Sequence, residues 1–220
     1  MPTKPACHLH ALLAAIVLAS GAAFAAGDRS DESDESDYVL REYTLPLTDI
    51  DEIEIHASAG TLEILPLDAN EVRILLEIES EEHGWMKRRR DVSDVELESD
   101  VRGRRLVLRQ TEKGTNTEWT VRMPAVARTT IDMGVGEIDA QLGATVLDLH
   151  LGVGDVDVTL PEDSTGDIDI EVGVGGARVH GAHDVDRDQA FVSQNVRARG
   201  DGKLDARIEL GVGDVTVELE

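Results

Sequence analysis

The chain is nearly free of cysteine: Cys7 is the single one in 220 residues. Cys7 precedes the apolar run Ala11–Ser20 and the small-x-small pattern Ala23-Phe24-Ala25, which together with Lys4 read as a secretory signal peptide over residues 1–26. A lipoprotein signal would carry its cysteine at the cleavage point, so acylation is not expected. Cleavage near Ala26 or Gly27 leaves a chain with no disulfide, no thiol nucleophile and no cysteine-based metal site. Aromatic residues are also scarce, at 3%. That is too few for sugar-stacking platforms or for the aromatic girdles of an outer-membrane barrel. Positive charge is the third deficit, with 21 Lys and Arg against 45 Asp and Glu. Residues 1–26 hold one lysine and no acid, so their removal takes the formal net charge from −24 to −25. Nucleic acid and anionic lipid both need a positive footprint, and neither is expected as a partner. Beyond the leader no apolar run is long enough to span a bilayer as a helix, so no stable membrane insertion is expected after cleavage. A periplasmic or secreted, cell-surface location follows.

What the chain has in quantity is alternation. Gly-Val-Gly occurs at 134–136, 152–154, 173–175 and 211–213, and each copy flips the phase of the surrounding apolar pattern. Leu147, Leu149, Leu151 and Val153 are odd-numbered, whereas Val156, Val158 and Leu160 beyond Gly154 are even. Period-2 alternation marks strands with one buried face, and a phase change between glycines marks a corner. The central valines lie 18, 21 and 38 residues apart, near one, one and two units of about 19. These features predict an all-β fold: a single repeat β-solenoid, parallel β-helix-like, with rungs of about 19 residues and Gly-x-Gly corners. Val135, Val153, Val174 and Val212 are expected to stack as one inward column.

The acidic run Asp28–Asp37 has no apolar residue and is read as a disordered linker over 27–37, with calcium capture by its acids as the sharper alternative. The solenoid domain is placed at 38–220. Within it, 129–220 holds the regular Gly-Val-Gly rungs and 38–128 degenerate ones, interrupted by a loop at 79–91. Ser58-Ala59-Gly60 stands where a Gly-Val-Gly would, 76 residues or four units before Val135.

If rungs stack in parallel, equivalent outward residues form columns about 4.8 Å apart. Three residues before each central valine stand Asp132, His150, Glu171 and Glu209, and two residues after stand Glu137, Asp155, Gly176 and Asp214. Stacked carboxylates favour a cation between them, which makes Asp132, Glu137, Asp155 and Asp214 weak metal candidates; a solvated acidic face is the plainer reading. The segment around 151–157 departs from the calcium-binding nonapeptide repeat, which needs a glycine where Leu151 stands and an aspartate where Val156 stands. Gly173–Ala177 departs from a dinucleotide loop, because a strand rather than a helix follows. Trp85, Lys87, Arg88, Arg89 and Arg90 form the chain's basic cluster. It could be a partner-binding loop for a phosphate group, an acidic polymer or another copy, or a hairpin loop paired with nearby acids. His180 and His183 form an isolated pair, Ser193 lacks a nucleophile-elbow setting, and no catalytic residue or cofactor is assigned.

The unit hydrophobic-x-hydrophobic-x-G-V-G-D-V-x-V at 147–158 and 206–217, and more loosely at 131–142 and 168–179, resembles the DUF4097/DUF2807 group of bacterial β-strand-repeat proteins. Those are described as putative adhesins related to the toast-rack domains of envelope stress proteins. The resemblance spans Ile50 to Glu220 and implies a cell-envelope solenoid with scaffolding, adhesive or stress-related roles. It carries over no catalytic residue. The expected function is that of a non-enzymatic, exported module binding an envelope protein or polymer. The alternative is a cation-assisted polysaccharide-processing β-helix enzyme.

Overall fold

A computed structural model describes residues 38–80, 95–110, 115–190 and 193–220. The signal peptide, the acidic linker and the basic loop Trp85–Arg90 lie outside them. The described chain is all-β, with twelve strands and no helix. In order they are β1 (Tyr38–Pro46), β2 (Glu52–Pro66), β3 (Glu71–Ser80), β4 (Glu98–Arg102), β5 (Arg105–Gln110) and β6 (Thr115–Met123). Then come β7 (Arg128–Gln141), β8 (Val146–Leu160), β9 (Thr165–His180), β10 (His183–Ala190), β11 (Ser193–Arg199) and β12 (Leu204–Leu219). Proline punctuates this array. Pro46 and Pro66 close β1 and β2, while Pro124 and Pro161 follow the last residues of β6 and β8. A residue without an amide hydrogen is tolerated there because no ladder bond is lost inside a strand.

All twelve strands join one sheet. Its centre is parallel, with spatial order β2-β7-β8-β12-β9. On the free side of β2, β5 pairs with its first half and β6 with its second, so the two act as one broken rung. Antiparallel strands close both ends: β3 and β1 beyond β6, β4 beyond β5, and β11 and β10 beyond β9. The Gly-Val-Gly corners of β7, β8, β12 and β9 stand side by side, but the spatial order is not the chain order. The last strand, β12, is inserted between β8 and β9, with Val212 opposite Val153 on one side and Val174 on the other.

β7, β8, β12 and β9 each turn at a Gly-Val-Gly, and the buried residues before and after the turn belong to one core. In β7, for example, Ile131 and Met133 are buried ahead of the corner and Ile138 and Ala140 behind it. The phase flip therefore does what the alternation implies: one surface of the bent strand faces the core throughout.

The valines do not. Val135, Val153, Val174 and Val212 form a column in register, but they are 45–52% exposed rather than inward. The reason lies in the glycines. Gly154 has φ +140°, and a Cβ built on it would stand 1.7 Å from the carbonyl oxygen of Gly136 on the next strand; at Gly152 it would stand 2.4 Å from that of Gly134. Both α-carbons thus present their bare side along the stack, toward the neighbouring backbone, where no side chain fits. The residue between them is swung out to solvent, and the core face resumes only at Val156, which is 1% exposed.

Candidate functional site: an outer groove of carboxylates and imidazoles

Just before the corners, the outer face carries an open groove of about 680 Å³. The glycine column Gly134, Gly152, Gly211 and Gly173 lines it together with Asp132, His150, Glu209 and Glu171. The last four are the column expected from the sequence, now in the spatial order that β12 imposes. Pairing extends the row at both ends. His56 stands opposite Asp132 and Arg109 opposite His56, while Asn195 stands opposite Glu171 and, with Ser193, lines the far end of the groove. His56 lies three residues before Ala59, so the same count applied to the Ser58-Ala59-Gly60 corner would have found it.

The imidazoles lie between acids. His150 places Nδ1 3.1 Å from Glu209 and Nε2 3.2 Å from Asp148, joining two strands through one ring. His56 contacts Glu54 at 2.5 Å through Nε2 and faces Asp132 at 3.7 Å through Nδ1. Burial works to raise the pKa of Glu54, but the hydrogen bonds and charges of His56 and Arg105 outweigh it and hold the carboxyl below its ordinary range. Arg207, two residues before Glu209 on β12, pairs with it at 2.6 Å. The result is a polar surface on which carboxylates and imidazoles share one row across adjacent strands, suited to holding cationic groups in line.

Glu137, Asp155 and Asp214, expected in a second column, stand on the far side of the corner from Asp132. Two of them have a job in the backbone. Asp155 Oδ1 accepts the amide of Asp214 at 3.0 Å, and Asp214 Oδ1 accepts that of Gly176 at 2.9 Å. Each carboxylate ties its strand to the next just past the corner. Asp155→Ala and Asp214→Ala should each cost about 1 kcal/mol in a denaturation series, the usual worth of such a bond. Calcium at an ionic strength matched with sodium should add no stabilisation of its own. A filled site would add about 2.7 kcal/mol at a hundredfold excess over Kd, so thermal melts separate the two outcomes.

One further group was missed by the sequence analysis. His183 Nε2 lies 3.7 Å from Glu162 and 3.4 Å from Asp201. Among the described residues this is the one set whose imidazole and carboxylate donor atoms all converge, within 4.8 Å of one another. Its members sit at or beside three turns, two of them laced by the Asp201 amide donating to the Glu162 carbonyl at 3.2 Å. No sequence spacing announces that convergence.

No family model matches the sequence, and no curated protein does. Solved structures do match. A structure described as a putative cell adhesion protein from Clostridium sporogenes aligns with 83% of this chain and 100% of its own, at a TM-score of 0.54 and 14% identity. The chain shares that fold. A putative adhesin from Bacteroides fragilis covers 82% of the chain at 11% identity and TM-score 0.33, with 96% of its own length aligned. A putative lipid binding protein from Parabacteroides distasonis covers 84%, with 95% of its own length aligned, at 11% identity and TM-score 0.29. At those scores the last two add nothing to the fold assignment. No helix among the described residues is long and apolar enough to cross a membrane.

Proposed function

We propose that this chain is an exported, non-enzymatic binding module of the bacterial cell envelope, adhesive or scaffolding in role. One observation carries the reading: the outer face lines up polar side chains on adjacent strands, the carboxylates Asp132, Glu209 and Glu171 with the imidazole of His150, in register at the strand spacing of about 4.8 Å. Such a surface engages a long partner at several points rather than enclosing one small substrate. The shared fold with the Clostridium structure, described as a cell adhesion protein, supports the same role. In this reading the in-register corners are rungs of a β-solenoid of the DUF4097/DUF2807 type, with the last rung inserted out of turn.

Incubating the chain without its leader with isolated envelope fractions tests the proposal. Saturable retention, lowered by Asp132→Asn with Glu209→Gln and by added salt, is the expected result. Calcium-dependent cleavage of a polyuronate or another envelope glycan would replace it with the enzymatic alternative.

A further inference from the structure

Five large apolar side chains are exposed among the described residues: Leu40 and the four corner valines. The valines form one row. In spatial order Val135, Val153, Val212 and Val174 stand on adjacent strands, about 4.8 Å apart. Close approach of neighbouring backbones accounts for the glycines on either side, but it does not account for valine between them. That position faces solvent, and no core contact calls for a hydrocarbon there. A contiguous apolar row on a chain of net charge −24 is a surface feature with a use.

The row is bordered by acids on both sides: Asp132, Glu209 and Glu171 before the corner, and Glu137, Asp155 and Asp214 after it. We propose that this ridge and its borders are a docking strip for a basic amphipathic α-helix, a partner with an apolar stripe flanked by Lys or Arg. The inference rests on the binding role proposed above and names the partner's chemistry. Repeat lengths select a helix. Its stripe recurs once per turn, about 5.4 Å, and stays within about 2 Å of the valines over three intervals. An extended strand repeats on one face every 6.8 Å or so and is about 6 Å out of step over the same distance. Charge selects a basic partner, and it disfavours a second copy of this acidic chain. The groove beside the row, floored by Gly134, Gly152, Gly211 and Gly173, leaves room for long basic side chains to lie down with their charges toward Asp132, Glu209 and Glu171.

The probe is a synthetic leucine–lysine peptide five turns long, patterned as an amphipathic helix, titrated calorimetrically into the chain without its leader. A scrambled peptide of the same composition serves as the charge-only control. The chain carrying Val135→Thr, Val153→Thr, Val174→Thr and Val212→Thr keeps the branched shape and replaces one methyl at each position with a hydroxyl, and Val153→Thr alone serves if the fourfold change impairs folding. Saturable binding should weaken about tenfold or more with the fourfold variant and with the scrambled peptide, and about threefold with Val153→Thr alone. Binding should also weaken as salt rises to about 0.3 M. Unchanged affinity for the scrambled peptide, or unchanged affinity of the valine variants, reduces the strip to plain charge attraction and overturns the proposal, as does absence of binding by the wild-type chain. Retention on envelope fractions, measured on the same preparations, keeps the two readings apart. Retention without peptide binding removes the helix partner alone, and loss of both removes the binding role as well.

Discussion

A chain ending at Lys203 will not hold its C-terminal half together. Removing Leu204–Glu220 takes out β12, which lies between β8 and β9 and pairs with both along nearly its whole length. The loss unpairs one edge of each neighbour and removes Ala206, Ile208, Leu210, Val215, Val217 and Leu219 from the core. At about 1.5–3 kcal/mol for each large aliphatic side chain, that is as large as the 5–15 kcal/mol by which a domain is usually stable. Were the rungs stacked in chain order, the last would be terminal and its removal would merely expose the one before. Circular dichroism and limited proteolysis distinguish the cases. A truncated chain that melts cooperatively, with β8 and β9 protected, would contradict the insertion. Removing the outermost strand β1, which pairs with β3 alone, should cost less.

Gly154→Ala should be strongly destabilising, as should the same change at Gly175 and Gly213, which stand in the same geometry. The backbone at φ +140° suits glycine, and the added methyl would fall 1.7 Å from the Gly136 carbonyl oxygen, on backbone that cannot rotate aside. Strain of about 1–3 kcal/mol and overpacking of a similar size add to roughly 4 kcal/mol. In a chain of this length that lowers Tm by about 8–16 °C. Val153→Thr, one residue away but facing solvent, should leave Tm within a few degrees. Equal melting temperatures for the two variants would refute the packing account of the corner.

These two predictions mark what could be read from the residues and what could not. The corners were legible because burying one face of a bent strand forces the apolar parity to switch, as between Leu151 and Val156. The outward turn of Val153 was not. Counting by twos assumes that every residue rotates the chain by the same amount, whereas Gly152 and Gly154 turn their α-carbons toward the next strand. The in-register acids were legible from spacing, since parallel strands place equivalent positions side by side. Their order was not, because near-identical rungs can pair with one another in any sequence. A trace was present nonetheless: the copies at 152 and 211 both continue into Gly-Asp-Val, and Asp155 and Asp214 turn out to be bonded neighbours. The meeting of His183 with Glu162 and Asp201 depends on three separate turns and left no pattern at all.

The inserted strand also bears on how the protein comes into being. A polypeptide emerges from the ribosome, or from a translocation pore, beginning at its N-terminus. β8 and β9 are complete well before β12 appears, yet one edge of each waits for its partner until Leu204–Leu219 have emerged. The fold therefore closes late, through contacts spanning some 40 to 60 positions of sequence, an arrangement that makes folding slow. Until β12 arrives, the C-terminal half lacks the closure that its two lateral pairings supply.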